Sequence, residues 1–160
     1  MPRRRLVALL VAAGDAKLAL IEAPVGSGKT TLLVEWHAAP EEERPFVWFS
    51  LDRRDNDPVR FLEGVIAALR TVEPRIGEQA LVDLAGPASL TDVVLPSLVN
   101  DVAALSRRLV LVLDDYHVIS SPRIHESVTF LLDHPARHAP VGRGHAFGAA
   151  AAARAPARAA

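Results

Sequence analysis

The stretch Leu18 to Leu33, LALIEAPVGSGKTTLL, sets an apolar run directly ahead of Ala23-Pro24-Val25-Gly26-Ser27-Gly28-Lys29-Thr30, with apolar residues resuming after it. That order predicts a strand, a tight loop and a helix arranged around phosphate. Small residues let backbone N–H groups turn inward about phosphate oxygens, and a lysine reaches the β and γ phosphates. The hydroxyl of Thr30 would ligate Mg²⁺. A helix starting near Lys29 adds the positive end of its dipole to the same anion. The usual first glycine of such a loop is Ala23 here, while Gly26 and Gly28 keep the backbone permissive. The alternative is a glycine-rich turn that binds nothing. Composition argues against it: there are 16 arginines but only two lysines, Lys17 and Lys29, so a lysine at the phosphate position stands out. Arginine would replace it poorly, because the site wants a compact charge on a flexible stem.

At 160 residues the chain is long enough for one ordinary domain and too short for two. Half of it is hydrophobic and 23% is charged, the balance of a soluble globular protein. With no cysteine there are no disulfides and no thiolate metal sites, which fits a cytoplasmic location. MPRRRLVALLVAA at the start has a basic end and an apolar run. The run is short and is followed by Asp15 and Lys17, so an amphipathic helix packed beside the first strand is expected rather than a signal peptide. Nothing approaches the roughly 20 apolar residues of a membrane span.

The net charge of −1 conceals an asymmetry: residues 135–160 hold four arginines and no acid, leaving −5 on the rest. Twelve of those 26 residues are alanine, with three prolines and three glycines. Such a segment reads as a disordered Ala/Arg/Pro/Gly-rich tail after a partial domain at 1–134. With one aromatic and no arginine cluster, it is not expected to be a nucleic-acid arm.

Between these ends strands alternate with helices. Lys17 to Glu22 reads as the first strand, and Lys29 to Ala38 as a helix with Leu32, Leu33 and Trp36 on one face. Phe46 to Leu51, FVWFSL, is a second strand. Asn56 or Asp57 would cap a helix starting at Pro58, whose Phe61, Leu62, Val65, Ile66 and Leu69 form a buried face. A short helix is expected at Glu78 to Leu84, and a further helix that starts or kinks at Pro96. LVLVL at Leu109 to Leu113 is the kind of strand buried on both faces of a parallel sheet. A last helix, Pro122 to His134, would bury Ile124, Val128, Leu131 and Leu132. The fold class is therefore α/β with a mostly parallel sheet flanked by helices.

Asp114 and Asp115 end the LVLVL strand, at the edge where open α/β sheets carry their ligand chemistry. Either they cap the turn, or they form a Walker B element beside the phosphate loop. In the second case Asp114 holds Mg²⁺ and Asp115 orients or polarises an attacking water, a position where many related ATPases have glutamate. His117 reads equally as a γ-phosphate sensor or a hydrogen-bonding residue at the strand exit. The remaining histidines show no metal-ligand spacing, and no zinc site is assigned.

Three segments in order, APVGSGKTTLLVEW, VWFSLDRRDNDPVRFLEGVIAALR and LVLVLDDYHVISSPRIHESVTFLLDH, resemble the ATP-binding domain of large LuxR-family transcriptional regulators. These are the maltose-activator-like members of the STAND ATPases, P-loop NTPases, and the resemblance covers roughly residues 2 to 134. Ala23 is ordinary in that family. The resemblance implies ATP and Mg²⁺ at Gly26, Ser27, Gly28, Lys29, Thr30 and Thr31, with Asp114 and Asp115 opposite. It also implies a regulatory switch in which inducer and ATP favour a self-associating form. The family's DNA-binding helix-turn-helix and sensor repeats are not in this sequence, so direct DNA binding is not expected.

In the family, the strand after Walker B lies between the phosphate-loop strand and the Walker B strand. PARHAPVGRGHAFGAAAAARAPARAA follows instead, and it reads as unable to supply a buried apolar strand, as if the reading frame had shifted or ended early. About three strands are therefore expected. The first and third would lack a partner, leaving a marginally folded chain that binds ATP but turns it over weakly or not at all. Two other functions compete with an ATP-binding regulatory module. One is a P-loop small-molecule kinase, although the segments between the two motifs look like scaffold helices rather than an arginine-bearing lid. The other is a non-catalytic fragment that associates with itself or a full-length homologue through an exposed sheet edge.

Overall fold

A computed structural model describes residues 3–13, 18–22, 28–133 and 147–153. In chain order the elements are α1 (Arg3–Ala12), β1 (Leu18–Glu22), α2 (Lys29–His37), β2 (Phe46–Ser50), α3 (Pro58–Leu69), α4 (Glu78–Leu84), α5 (Leu95–Ala103), β3 (Leu109–Asp114), α6 (Pro122–Asp133) and β4 (Phe147–Ala153). Single 3-10 turns cover Arg53–Asn56 and Tyr116–Val118, and a π turn covers Leu90–Val94.

The LVLVL run behaves as its composition requires. Every residue of β3 is buried, and its side chains alternate between two cores. Leu109, Leu111 and Leu113 join Val47, Phe61, Ile66, Leu98 and Ile124, in a core made with α3 to α6. Val110 and Val112 meet Leu33 and Trp36 of α2, and Val7, Leu10 and Val11 of α1 pack against that group. Helices thus cover both faces of a parallel sheet, the arrangement that permits an uninterrupted apolar strand. The segment at the start is the expected helix, with α2 as its main support.

The sheet is parallel throughout, in the order β1-β4-β3-β2. This corrects the expectation of about three strands and a structureless tail. Leu18 to Glu22 pair with Ala149 to Ala153, and Leu109 to Leu113 pair with Phe147 to Ala151. The run FGAAAAA carries no strand signal, because glycine and alanine are poor strand formers and the segment lacks β-branched residues. A central strand, however, is fixed by hydrogen bonds along both edges, and no residue from 147 to 153 is a proline or carries a charge. With β4 between them, β1 and β3 have backbone partners, and the case for marginal folding from unpaired strands does not apply. The rest of 135–160 lies outside the described residues.

Local signals place the helices. Asp57 caps α3 by accepting the N–H of Arg60 at 2.9 Å, with Pro58 in the first turn. Pro96 sits in the first turn of α5, which continues directly from the π turn Leu90–Val94, so the proline coincides with a change of helical hydrogen bonding. Within α6, Ile124 and Leu131 are buried as expected, with Ser127 on the same face bonding back to the carbonyl of Arg123. Val128 and Leu132 are only half-buried. Among the described residues, no helix is long and apolar enough to cross a membrane.

Candidate functional site

Because all strands run the same way, their carboxyl ends share one edge, and the first turn of α2 lies there beside the end of β3. Gly28 precedes α2 with φ 82°, a left-handed conformation that a residue with Cβ adopts at a cost. Glycine at that position thus lets the chain turn sharply into the helix. Lys29 opens α2, and Thr30 and Thr31 follow in its first turn, both exposed. Ala23, Pro24, Val25, Gly26 and Ser27 lie outside the described residues.

Thr30 and Asp114 are 84 residues apart in sequence, yet the hydroxyl of Thr30 faces Oδ2 of Asp114 at 3.4 Å. The other carboxylate oxygen, Oδ1, accepts the N–H of Asp115 at 3.0 Å. Asp114 is buried, 8% exposed. A carboxylate removed from water is costly unless polar partners or a cation serve it. Asp115 has φ 58°, the one residue other than glycine described with positive φ. The Asp115 carboxylate is 59% exposed. Its Oδ1 lies 3.7 Å from Nδ1 of His117.

Hard oxygen groups on Thr30 and Asp114 suit a small divalent cation. Mg²⁺ is ordinarily held by one or two carboxylates together with water and substrate phosphates rather than by a protein cage. Among the described residues there is no group of three or more His, Cys, Asp or Glu side chains placed to hold a metal. Two hard oxygen donors of this kind are compatible with Mg²⁺.

The turn after Asp114 is pinned from two directions that sequence reasoning did not foresee. The hydroxyl of Tyr116 lies 2.7 Å from Nδ1 of His125 on α6. Burial pushes the Tyr116 phenol up to about 12, so it keeps its proton. From the other side, Asn56 reaches across from the segment after β2. Its amide N–H donates to the carbonyl of Val118 at 2.8 Å, and its oxygen accepts the N–H groups of Ser120 at 2.6 Å and Ser121 at 3.1 Å. The sequence offers Asn56 only as a helix cap. Pro58 in the first turn of α3 already points to Asp57 for that role and leaves the asparagine for another.

No protein-family model matches the chain. It is similar to proteins named HTH-type transcriptional regulator MalT. One from Cronobacter sakazakii is 41% identical over 138 residues, which make up 85% of this chain and 15% of that protein. Those from two strains of Klebsiella pneumoniae are 40% identical over 134 residues, 82% of this chain and 14% of theirs. The chain spans about one seventh of the length of these curated relatives.

Proposed function

We propose that the chain is an ATP-binding regulatory module with a P-loop fold, of the kind carried by LuxR-type transcriptional regulators, and that it works in the cytoplasm. The observation that carries this reading is the approach of Thr30 to Asp114. A hydroxyl in the first turn of a helix that follows a glycine-rich loop meets a buried carboxylate at the end of a central strand. The two motifs are independent in sequence, and they converge at the edge where α/β sheets bind ligands. The sheet order adds support, because the strand after Asp114 lies between β1 and β3. So does the resemblance to regulators over most of the chain.

In this reading Gly26, Ser27 and Gly28 surround the phosphates with backbone N–H groups, and Lys29 and the α2 dipole balance their charge. Thr31 contributes from the same turn. Thr30 and Asp114 hold Mg²⁺, which neutralises charge on the phosphates when bound. Asp115, whose carboxylate is exposed, is assigned the role of orienting a water. The proposed ligand is ATP, and a partner is a second copy or a longer relative. Direct DNA contact by these residues is not part of the proposal.

Calorimetric titration of the purified chain with Mg-ATP, beside Lys29→Ala, tests the reading. The unchanged chain should bind, and the variant should bind at least about tenfold more weakly, the equivalent of one charge-assisted hydrogen bond. No binding by the unchanged chain, or equal binding by both, would overturn it.

A further inference from the structure

The segment from Asp115 to Ser121 has to hold an unfavourable backbone at Asp115 while carrying no strand or α-helix of its own. The side chain that does most to hold it is Asn56, from 59 or more residues earlier. Its Oδ1 accepts from the backbone of Ser120 and Ser121 and, at 3.2 Å, from the Ser120 hydroxyl. Its Nδ2 donates to the carbonyls of Val118, at 2.8 Å, and Arg53, at 3.2 Å. Rotating the amide by half a turn would set NH₂ against two N–H groups and oxygen against two carbonyls, so the partners fix its orientation. Both donors are used and the oxygen is fully engaged. Glutamate or glutamine would reach one carbon too far, and aspartate would lose both donated bonds.

That knot lies next to the proposed metal ligand. The turn Tyr116–Val118 follows Asp115 directly, and the Asp115 N–H holds Oδ1 of Asp114, which leaves Oδ2 facing Thr30. Displacing the turn would release the amide of Asp115 and free the Asp114 carboxylate to rotate away from the Thr30 hydroxyl. We infer that Asn56 is a positioning residue for the divalent cation: by tying the segment after β2 to the turn after β3, it fixes the orientation of the Asp114 carboxylate. The inference rests on the nucleotide reading given above. It adds a residue outside both nucleotide motifs, and it makes the exit of β2 part of the site.

The test is ATP binding by the full chain, measured in EDTA and across a Mg²⁺ titration, for the unchanged protein, Asn56→Ala and Asn56→Gln. Loss of groups that orient metal ligands typically weakens metal affinity about 10- to 100-fold. The Mg²⁺ midpoint should therefore rise about tenfold or more in Asn56→Ala, while ATP affinity in EDTA changes far less. Asn56→Gln keeps the amide but displaces it, and should move the midpoint in the same direction; it decides the matter if the alanine variant does not melt cooperatively. An unmoved midpoint in the variants that fold would overturn the inference, and so would equal losses with and without Mg²⁺, the mark of a merely structural residue. If the unchanged chain bound ATP in neither medium, the nucleotide reading itself would fall and this inference with it.

Discussion

Gly64, in the middle of α3, is where the packing of helix on sheet can be tested most directly. A Cβ built there would lie 2.2, 2.7 and 2.9 Å from three ring atoms of Phe49 on β2. Ordinary carbon contacts begin near 3.5 Å, so the ring would have to retreat by roughly 1 Å or more. Inward it is stopped by Phe61, which is fully buried with its ring centroid 6.1 Å away. Outward movement exposes more of an aromatic that is only partly buried. Overpacking of this kind costs about 1–3 kcal/mol. Against it stands the gain of replacing glycine by alanine inside a helix, about 1 kcal/mol. The net expectation for Gly64→Ala is a loss of about 1 kcal/mol, with Tm lower by about 2–4 °C for each kcal/mol in a chain of this size. The sign should invert when the ring is removed: in a Phe49→Leu background, Gly64→Ala should be neutral or stabilising by up to about 1 kcal/mol. Urea melts of the four proteins measure this as a double-mutant cycle. If Gly64→Ala stabilised the unchanged protein, or cost the same in both backgrounds, α3 would not lie on β2 as described.

Three further substitutions probe the site and its frame. Asp114→Asn keeps the shape of the side chain but removes its charge, so the ratio of ATP affinity with Mg²⁺ to that in EDTA should fall toward one; an unchanged ratio would remove Asp114 from the metal. Glu42, with a side chain 2% exposed, accepts Trp36 Nε1 at 2.8 Å and the Arg44 guanidinium at 2.6 and 2.7 Å. Burial pushes its carboxyl up, but the hydrogen bonds and charge of Arg44 outweigh that and hold it below its ordinary 4.5. The stability it contributes is therefore complete above pH 4.5 and is lost as pH falls through the lower folded value. Thermal melts from pH 7 to pH 3 should show a smaller acid-dependent drop in Glu42→Gln than in the unchanged chain, and parallel curves would refute the assignment. Ala150 pairs with both Ala19 and Val112, so Ala150→Pro removes a ladder donor from a central strand. It should cost about 3 kcal/mol or more, read as a lower urea midpoint, and a silent substitution would contradict β4.

What was legible in the sequence was whatever announces itself locally. The LVLVL run stated that it is buried on both faces, and the apolar spacing of Phe61, Leu62, Val65, Ile66 and Leu69 marked out the buried face of α3. The residue types at Thr30 and Asp114 suggested a common site, and the fold brings the two side chains to 3.4 Å. Long-range pairing was not legible. Nothing in FGAAAAA favours a strand, and its state is set by β1 and β3 on either side. The contacts of Asn56 span 62 to 65 residues, and no spacing rule carries over such a distance. Tyr116 and His125 likewise meet only because α6 folds back beside the turn after β3.

The strand that the sequence concealed also bears on the chemistry. Neighbouring strands lie about 4.8 Å apart, so one strand between β1 and β3 sets them roughly 9–10 Å apart. The loop leaving β1 must turn into α2 within that span and still bring Thr30 to Asp114. Were β1 paired directly with β3, the spacing would halve, and the proposed nucleotide site would have about half that width between the end of β1 and Asp114. Seven residues of little chemical character therefore set the width of the proposed site. Its residues can be complete in sequence and still depend on a segment that none of the binding motifs contains.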